Sequence, residues 1–336
     1  MYGDQAERSS IHPTVPPVPS PLGASVTTVI VSWNTSTLLD DCLSSLRTDA
    51  ERGFTDVWVV DNGSTDGSVE MVRQRHPWAR LIVAPANLGY GPAVNLAAER
   101  TSSAWIVAAN ADTRMTPGAL EALVAAGDAD PRSAILGPRL VLPDGSTQLS
   151  RQRFPTVSDA LLSGALISPR GQRVGRRLGL PGYWDPSRPA VVHWLAGAFL
   201  LVRRSAWDQI GGFAADQWMY AEDLDLCWRA TRHGWRVRYE PAAVVHHAHS
   251  VAAAQAFGDE EARTVRMLAA TNTWQVRRRG RARALLVVAT QLGVLGARAL
   301  AGGALGALDP RRVHGTGRLS AAALRLHWRS ARALLT

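Results

Sequence analysis

Cysteine is almost absent. Cys42 and Cys227 are the only two in 336 residues, which excludes a disulfide framework and a cysteine-rich zinc site and agrees with a reducing compartment. The N-terminus lacks a basic segment running into an apolar one, so no secretory signal is expected. Gly89-Tyr-Gly91 lacks the third glycine of the dinucleotide fingerprint, and neither glycine belongs to a Walker lysine motif. Both points argue against NAD binding and ATP hydrolysis. No apolar run reaches the roughly 20 residues of a membrane span. The uncharged stretch Ala284–Ala297 is closed by Arg298 and thinned by glycines, so an interfacial helix beside Arg277–Arg283 is expected instead. Acid is also short, and the formal charge is +9. The excess gathers at 169–177, at 276–283 and near the C-terminus. No nucleic-acid-binding signature accompanies these patches. An anionic membrane surface, a diphosphate-bearing substrate or a merely solvated basic face all remain open.

What the chain does contain is a hydrophobic content of 46 %, enough for a sizeable core. A proline-rich leader, 1–24, reads as disordered. Order is expected from Val26, where a β-branched run through Asn34 suits a buried parallel strand. A helix over 35–50 follows, with Leu38, Leu39, Cys42, Leu43 and Leu46 on one face. Further strands are predicted at 56–60, 81–83 and 104–109, each closed by a polar loop, with helices over 68–76 and after the 87–95 loop. This alternation predicts a doubly wound α/β sheet, in which ligands bind beyond the carboxyl ends of the strands. A helix is expected over 117–127 and a strand with a turn over 135–145. The Arg/Pro/Gly-rich stretch to about 190 reads as a mobile loop or acceptor-side insertion. Strands are predicted again over 191–202, 235–239 and 243–245, and helices from about 259 to the end.

The polar loops carry the candidate chemistry. Asp61, in a loop dense in turn formers, suits either a nucleoside contact or an Asx-turn. Gly89 and Gly91 allow backbone to approach phosphates at a helix N-terminus, or simply turn the chain. Asn110-Ala-Asp112 is short geometry for a hard divalent cation shared with substrate phosphates. His246, His247 and His249 could add a ligand from another strand end. In Met219-Tyr-Ala-Glu-Asp223, an apolar approach runs into Glu222 and Asp223 at the mouth of a helix. Such carboxylates are either a general base and its neighbour or a capping pair, while Asp225 and Arg229 are spaced as an i,i+4 ion pair.

Taken in order, these pieces resemble the inverting, GT-A fold glycosyltransferases of family 2. The resemblance spans about 27–250. It is carried by Ser32-Trp-Asn34, Val59–Gly67, Asn87–Gly91 with Asn95, Asn110-Ala-Asp112, Trp194–Ala198, Gly211–Phe213, Met219–Asp223 and His246–Ser250. Asn87–Asn95, Pro143–Ser146 and Leu201–Arg204 look most like the rhamnosyltransferases that act on polyprenyl-diphosphate-linked N-acetylglucosamine.

The resemblance implies an α/β GT-A domain over 25–258, a doubly wound mixed sheet, with a basic and apolar helical extension over 259–336. It implies a donor pocket built from Ser32, Asn34, Asp61, Asn62, Asn87, Gly89, Gly91, Asn95 and Asn110. Asp112 and His247 would hold Mg2+ or Mn2+, Trp194 and Glu222 would contact the acceptor, and Asp223 would be the catalytic base. The chain departs from the family pattern where Asn110 and Ala111 replace the usual Asp and Pro, which leaves Asp112 as the carboxylate of that motif. The implied reaction moves a sugar, rhamnose from dTDP-rhamnose, to a lipid-linked or polysaccharide acceptor in cell-wall or surface-glycan synthesis. The implied place is the inner face of the cytoplasmic membrane, with a membrane surface and no nucleic acid as partner. Two rivals stand beside it. A nucleotidyltransferase would need a basic, glycine-rich phosphate loop, which 32–40 lacks. The other is a non-catalytic sugar-binding protein that keeps the fold.

Overall fold

A computed structural model describes residues 25–165, 185–248, 260–308 and 316–331. The proline-rich leader, the arginines at 169–177 and His249 lie outside the described residues.

The chain opens with strand β1 (Val26–Ser32), helix α1 (Ser36–Glu51), β2 (Thr55–Asp61), α2 (Ser68–Arg75), β3 (Arg80–Val83), α3 (Tyr90–Ala98) and β4 (Trp105–Asn110). These four strands are mutually parallel in the order β3-β2-β1-β4. The β1 and β2 backbones are buried almost throughout, as expected of Val/Ile-rich strands covered on both faces. On one face Leu39, Leu43 and Leu46 of α1 pack against Ile30, Val59 and Val107. On the other, Val94 and Ala97 of α3 pack against Val29, Val60 and Ile106.

Beyond β4 the sheet turns mixed. After the short β5 (Thr113–Met115) come α4 (Ala119–Asp128), β6 (Ser133–Val141), β7 (Arg151–Gln152) and α5 (Val157–Ala165). Next are β8 (Ala190–Val192), β9 (Trp194–Leu195), β10 (Phe199–Arg203), α6 (Arg204–Ile210), α7 (Glu222–Arg232) and β11 (Arg236–His247). Strand β10 inserts antiparallel between β4 and β6, β11 lies parallel to β6, and β5 and β8 flank β11 antiparallel.

Several elements differ from the sequence expectation. The single strand expected over 191–202 is three: His193 separates β8 from β9, and β9 leaves the main sheet to pair with β7. The two strands expected at 235–239 and 243–245 are one, with an irregularity between Glu240 and Val244. Pro241 lies there, and without an N–H it cannot take a ladder position. His246 and His247 therefore lie in β11 rather than after it. Helices α5 and α6 were not anticipated; α5 occupies part of the stretch expected to be irregular.

The C-terminal helices are α8 (Glu260–Arg279), α9 (Arg281–Leu308) and α10 (Thr316–Ala331). Gly280, with φ +89°, makes the left-handed break between α8 and α9. Helix α9 outruns the sequence reading. Its 20 residues Arg281–Leu300 have a mean hydropathy of 1.4 and are long and apolar enough to cross a membrane. Arg281, Arg283 and Arg298 fall near the ends of that stretch, where a guanidinium can reach out of an apolar layer. The chain contains no lysine. Several of its arginines act as carbonyl clamps: Arg203 on Gly127, Arg204 on Ala98 and Ser103, and Arg229 on Ile210 and Gly212. The planar fork of the guanidinium suits this work.

Candidate active site

The site lies at the carboxyl ends of β1, β2 and β4, as the topology requires. At the end of β2, Asp61 is buried. Its Oδ1 accepts the N–H groups of Gly63 and Ser64 at 3.2 and 2.9 Å. Its Oδ2 is buried with no hydrogen-bond partner. A buried carboxylate oxygen without a donor is costly, and it fits a ligand N–H or O–H arriving there. Asn34, with φ 52°, fastens this loop: its Oδ1 accepts Thr65 N–H at 2.8 Å and its own N–H donates to Ser64 Oγ at 2.9 Å. The Ser32 hydroxyl is buried against Thr35 Oγ1.

Asn62 orders the next loop. Its Nδ2 donates to Asn87 Oδ1 and the Gly89 carbonyl, and its Oδ1 accepts Leu88 N–H. Asn87 Oδ1 also accepts Gly89 N–H at 3.0 Å. Gly89 has φ +89°, and a Cβ there would come within 2.6 Å of the Trp218 carbonyl oxygen. The position is closed to any side chain. Asn95 grips the backbone of Phe213 in both senses, Oδ1 accepting its N–H at 2.9 Å and Nδ2 donating to its carbonyl at 2.8 Å. Asn110, at the end of β4, is tied through its backbone to the segment leading into β10: its N–H donates to the Ala198 carbonyl at 2.9 Å. Of the nine residues expected around the donor, Asp61 thus offers a spare buried acceptor. The side chains of Ser32, Asn34, Asn62, Asn87 and Asn95 hold the loops in shape.

Two residues past β4, Asp112 meets the end of β11. His247 Nε2 lies 3.2 Å from Asp112 Oδ1, and both side chains are over nine-tenths buried. His247 Nδ1 lies 2.7 Å from Gln148 Oε1. An Nδ1–H donating there leaves the Nε2 lone pair facing the carboxylate. Two acceptors about 3 Å apart are the spacing of neighbouring ligands on a hard divalent ion with ~2.1 Å bonds, and the carboxylate is the kind of oxygen ligand that Mg2+ and Mn2+ take. Among the described residues no group of three or more such ligands converges. A cleft of about 410 Å³ opens beside the pair, walled also by Leu38, Asp41, Arg114 and His246.

The acid pair heads α7. Tyr220 and Ala221 both adopt left-handed backbone, φ 63° and 65°, a strained state for non-glycine residues that surrounding structure must impose. That turn delivers Glu222 and Asp223 to the first turn of the helix, where the dipole favours a carboxylate. Asp223 Oδ2 accepts Gly197 N–H at 2.8 Å and Oδ1 accepts Leu224 N–H at 2.7 Å. Burial raises its pKa above the usual carboxylate range, and these N–H groups pull it back. Glu222 is raised further, by burial and then by the charge of Asp223, and its Oε2 is buried without a partner. Two N–H donors on Asp223 and none on Glu222 Oε2 favour the charge on Asp223. Trp194 donates its indole N–H to the Arg153 carbonyl at 3.0 Å and packs beside Ala221 and Leu224.

Sequence reasoning missed two features here. Tyr90 was read only as part of the 87–95 loop, yet its hydroxyl donates to the Gly197 carbonyl at 3.1 Å. Asp225 was read as half of an ion pair with Arg229, and that pair is present at 2.7 Å. Asp225 is also fully buried and takes Trp274 Nε1–H at 3.0 Å and Arg278 Nε–H at 2.6 Å from α8. Partners 49 and 53 residues distant leave no local signal.

A mixed α/β sheet with helices on its faces and polar loops at the carboxyl ends of its parallel strands is the GT-A arrangement of glycosyltransferases. The comparisons agree. The glycosyl transferase family 2 model matches residues 27–210, and a glycosyltransferase-like family 2 model matches 187–281. The chain belongs to glycosyltransferase family 2. It is 39 % identical over 240 residues to the N-acetylglucosaminyl-diphospho-decaprenol L-rhamnosyltransferase of Mycobacterium tuberculosis, covering 66 % of this chain and 76 % of that protein. It is 47 % identical over 101 residues to rhamnosyltransferase WbbL of Escherichia coli, 30 % of this chain and 35 % of that one. In fold it is similar to the Pyrobaculum calidifontis mannosyltransferase PcManGT, solved with GDP-Man and Mn2+. That likeness has a TM-score of 0.59 and 19 % identity over 95 % of this chain and 89 % of the other.

Proposed function

We propose that this glycosyltransferase moves rhamnose from dTDP-rhamnose to N-acetylglucosamine carried on a polyprenyl diphosphate, inverting the anomeric carbon, at the inner face of the cytoplasmic membrane. Likeness to the mycobacterial enzyme supports rhamnose as the transferred sugar and the lipid-linked acceptor. The observation that carries the chemistry is the buried Glu222–Asp223 pair in the first turn of α7, with Asp223 held by two backbone N–H groups.

In this reading Asp61 Oδ2 takes a hydrogen bond from the nucleoside, and Asn62 and Asn87 hold the loop over which the donor lies. Asp112 and His247 would hold a divalent cation, which would supply charge neutralisation for the departing nucleoside diphosphate. Asp223 removes the proton of the acceptor hydroxyl as that oxygen attacks the anomeric carbon from the side opposite the leaving group. Glu222 donates a hydrogen bond to the acceptor and Trp194 walls its pocket. Exposed Leu286 and Leu300 on α9, with the arginines at its start, give the chain an apolar and cationic face for the membrane that carries the acceptor.

Asp223→Asn keeps the size and loses the base. Transfer falls by a factor on the order of 10²–10⁴, while dTDP-rhamnose binding, measured by calorimetry, is retained. Near-normal turnover in that variant would remove Asp223 from the mechanism.

A further inference from the structure

Gly197 sits between the two halves of the site. A Cβ added there would lie 3.0 Å from Asp223 Cβ and 3.3 Å from Oδ2, so a side chain would crowd the carboxylate that takes the Gly197 N–H. Glycine backbone is also the freest to rotate. Something must fix it for that N–H to stay aimed at Asp223. The Gly197 carbonyl is held by the Tyr90 hydroxyl at 3.1 Å. Tyr90 in turn is fixed by Phe213, edge-on at 5.7 Å, and by its own N–H to the Trp218 carbonyl at 3.3 Å. Tyr90 opens α3 directly after Gly89, so one residue joins the donor loop to the residue that touches the base.

We propose that Tyr90 is a positioning residue for catalysis: by anchoring the Gly197 carbonyl it keeps the Gly197 N–H on Asp223, and so lets the donor loop set the position and basicity of the base. The proposal rests on Asp223 being that base. The ionisable groups around Asp223 are Glu222 beside it, Cys227 one turn along α7, and Tyr90 from α3. Burial raises the Tyr90 phenol well above its usual range, followed by the charges of Glu222, Asp223 and Asp112. The phenol therefore stays a neutral donor at working pH. When the anchor is lost, the N–H drifts from the carboxylate and the ionised form of Asp223 loses a donor. Its pKa rises, and the acid limb of the rate profile moves to higher pH.

The test is the pH dependence of kcat and kcat/KM for Tyr90→Phe against wild type, using dTDP-rhamnose and a synthetic polyprenyl-diphosphate N-acetylglucosamine. The expected result is a kcat lower by roughly three- to tenfold at neutral pH, an acid limb displaced upward, and an unchanged donor KM. Incorporating 3-fluorotyrosine at position 90, which keeps ring and hydroxyl, restores the wild-type limb. It also serves as the comparison if Tyr90→Phe folds poorly by thermal melting. A Tyr90→Phe enzyme with an unshifted limb, or one changed only in donor KM, overturns the proposal. So does a fluorotyrosine enzyme that behaves like the phenylalanine one. Activity surviving in Asp223→Asn would instead remove the base assignment, a distinct outcome.

Discussion

At the scale of single residues, the site keeps charge where it is costly. Burial lifts both Glu222 and Asp223 above the usual carboxylate range. The folded state therefore binds a proton that the unfolded chain has released, and stability contributed by the protonated acid is lost as pH climbs from the ordinary glutamate value of 4.5 toward the raised one. Glu222→Gln removes that penalty. Its Tm is expected to exceed wild type at pH 7.5 and to match it at pH 4, with transfer reduced; a Tm below wild type at both pH values would contradict the buried-acid account.

At the scale of elements, the junction between α7 and α8 matters most. Asp225, fully buried, is held by Arg229, Trp274 and Arg278, and Arg277 and Arg278 also reach Asp216. The first C-terminal helix therefore grips the helix that carries Glu222 and Asp223. Asp225→Ala leaves two guanidinium groups near a buried gap, at a cost of about 3–5 kcal/mol. Urea unfolding should show a loss of unfolding free energy of that size; a loss below about 1 kcal/mol would mean the cluster is solvent-screened.

The same junction shows what the sequence could and could not reveal. The polar loops after β1, β2 and β4 were legible because Asp, Asn and Gly stand out against β-branched strands, and topology fixes where such loops point. The Asp225–Arg229 pair was legible from its i,i+4 spacing. The partners of Asp225 on α8, the Asn95 grip on Phe213 and the Tyr90–Gly197 contact were not, because each joins segments 49 to 118 residues apart. His246 and His247 were ambiguous until β11 set which side faces Asp112.

For the whole molecule, the helical extension adds an arginine-rich, apolar surface to the mixed sheet. Exposed Leu286 and Leu300 share α9 with a stretch long and apolar enough to span. The full chain is expected to float with phosphatidylglycerol-containing vesicles. Release by high salt indicates an interfacial helix, resistance to salt a deeper one, and failure to bind at low salt would contradict a membrane-facing role.

The central claim is most directly tested by transfer itself. Purified full-length protein is incubated with dTDP-rhamnose, a polyprenyl-diphosphate N-acetylglucosamine and Mn2+, and the product's mass and anomeric configuration are read by mass spectrometry and NMR. The account predicts one added deoxyhexose with inverted configuration, lost on chelation and restored by Mn2+ or Mg2+. No transfer from dTDP-rhamnose, with turnover of a different sugar nucleotide, would contradict the donor assignment; a retained configuration would contradict the mechanism.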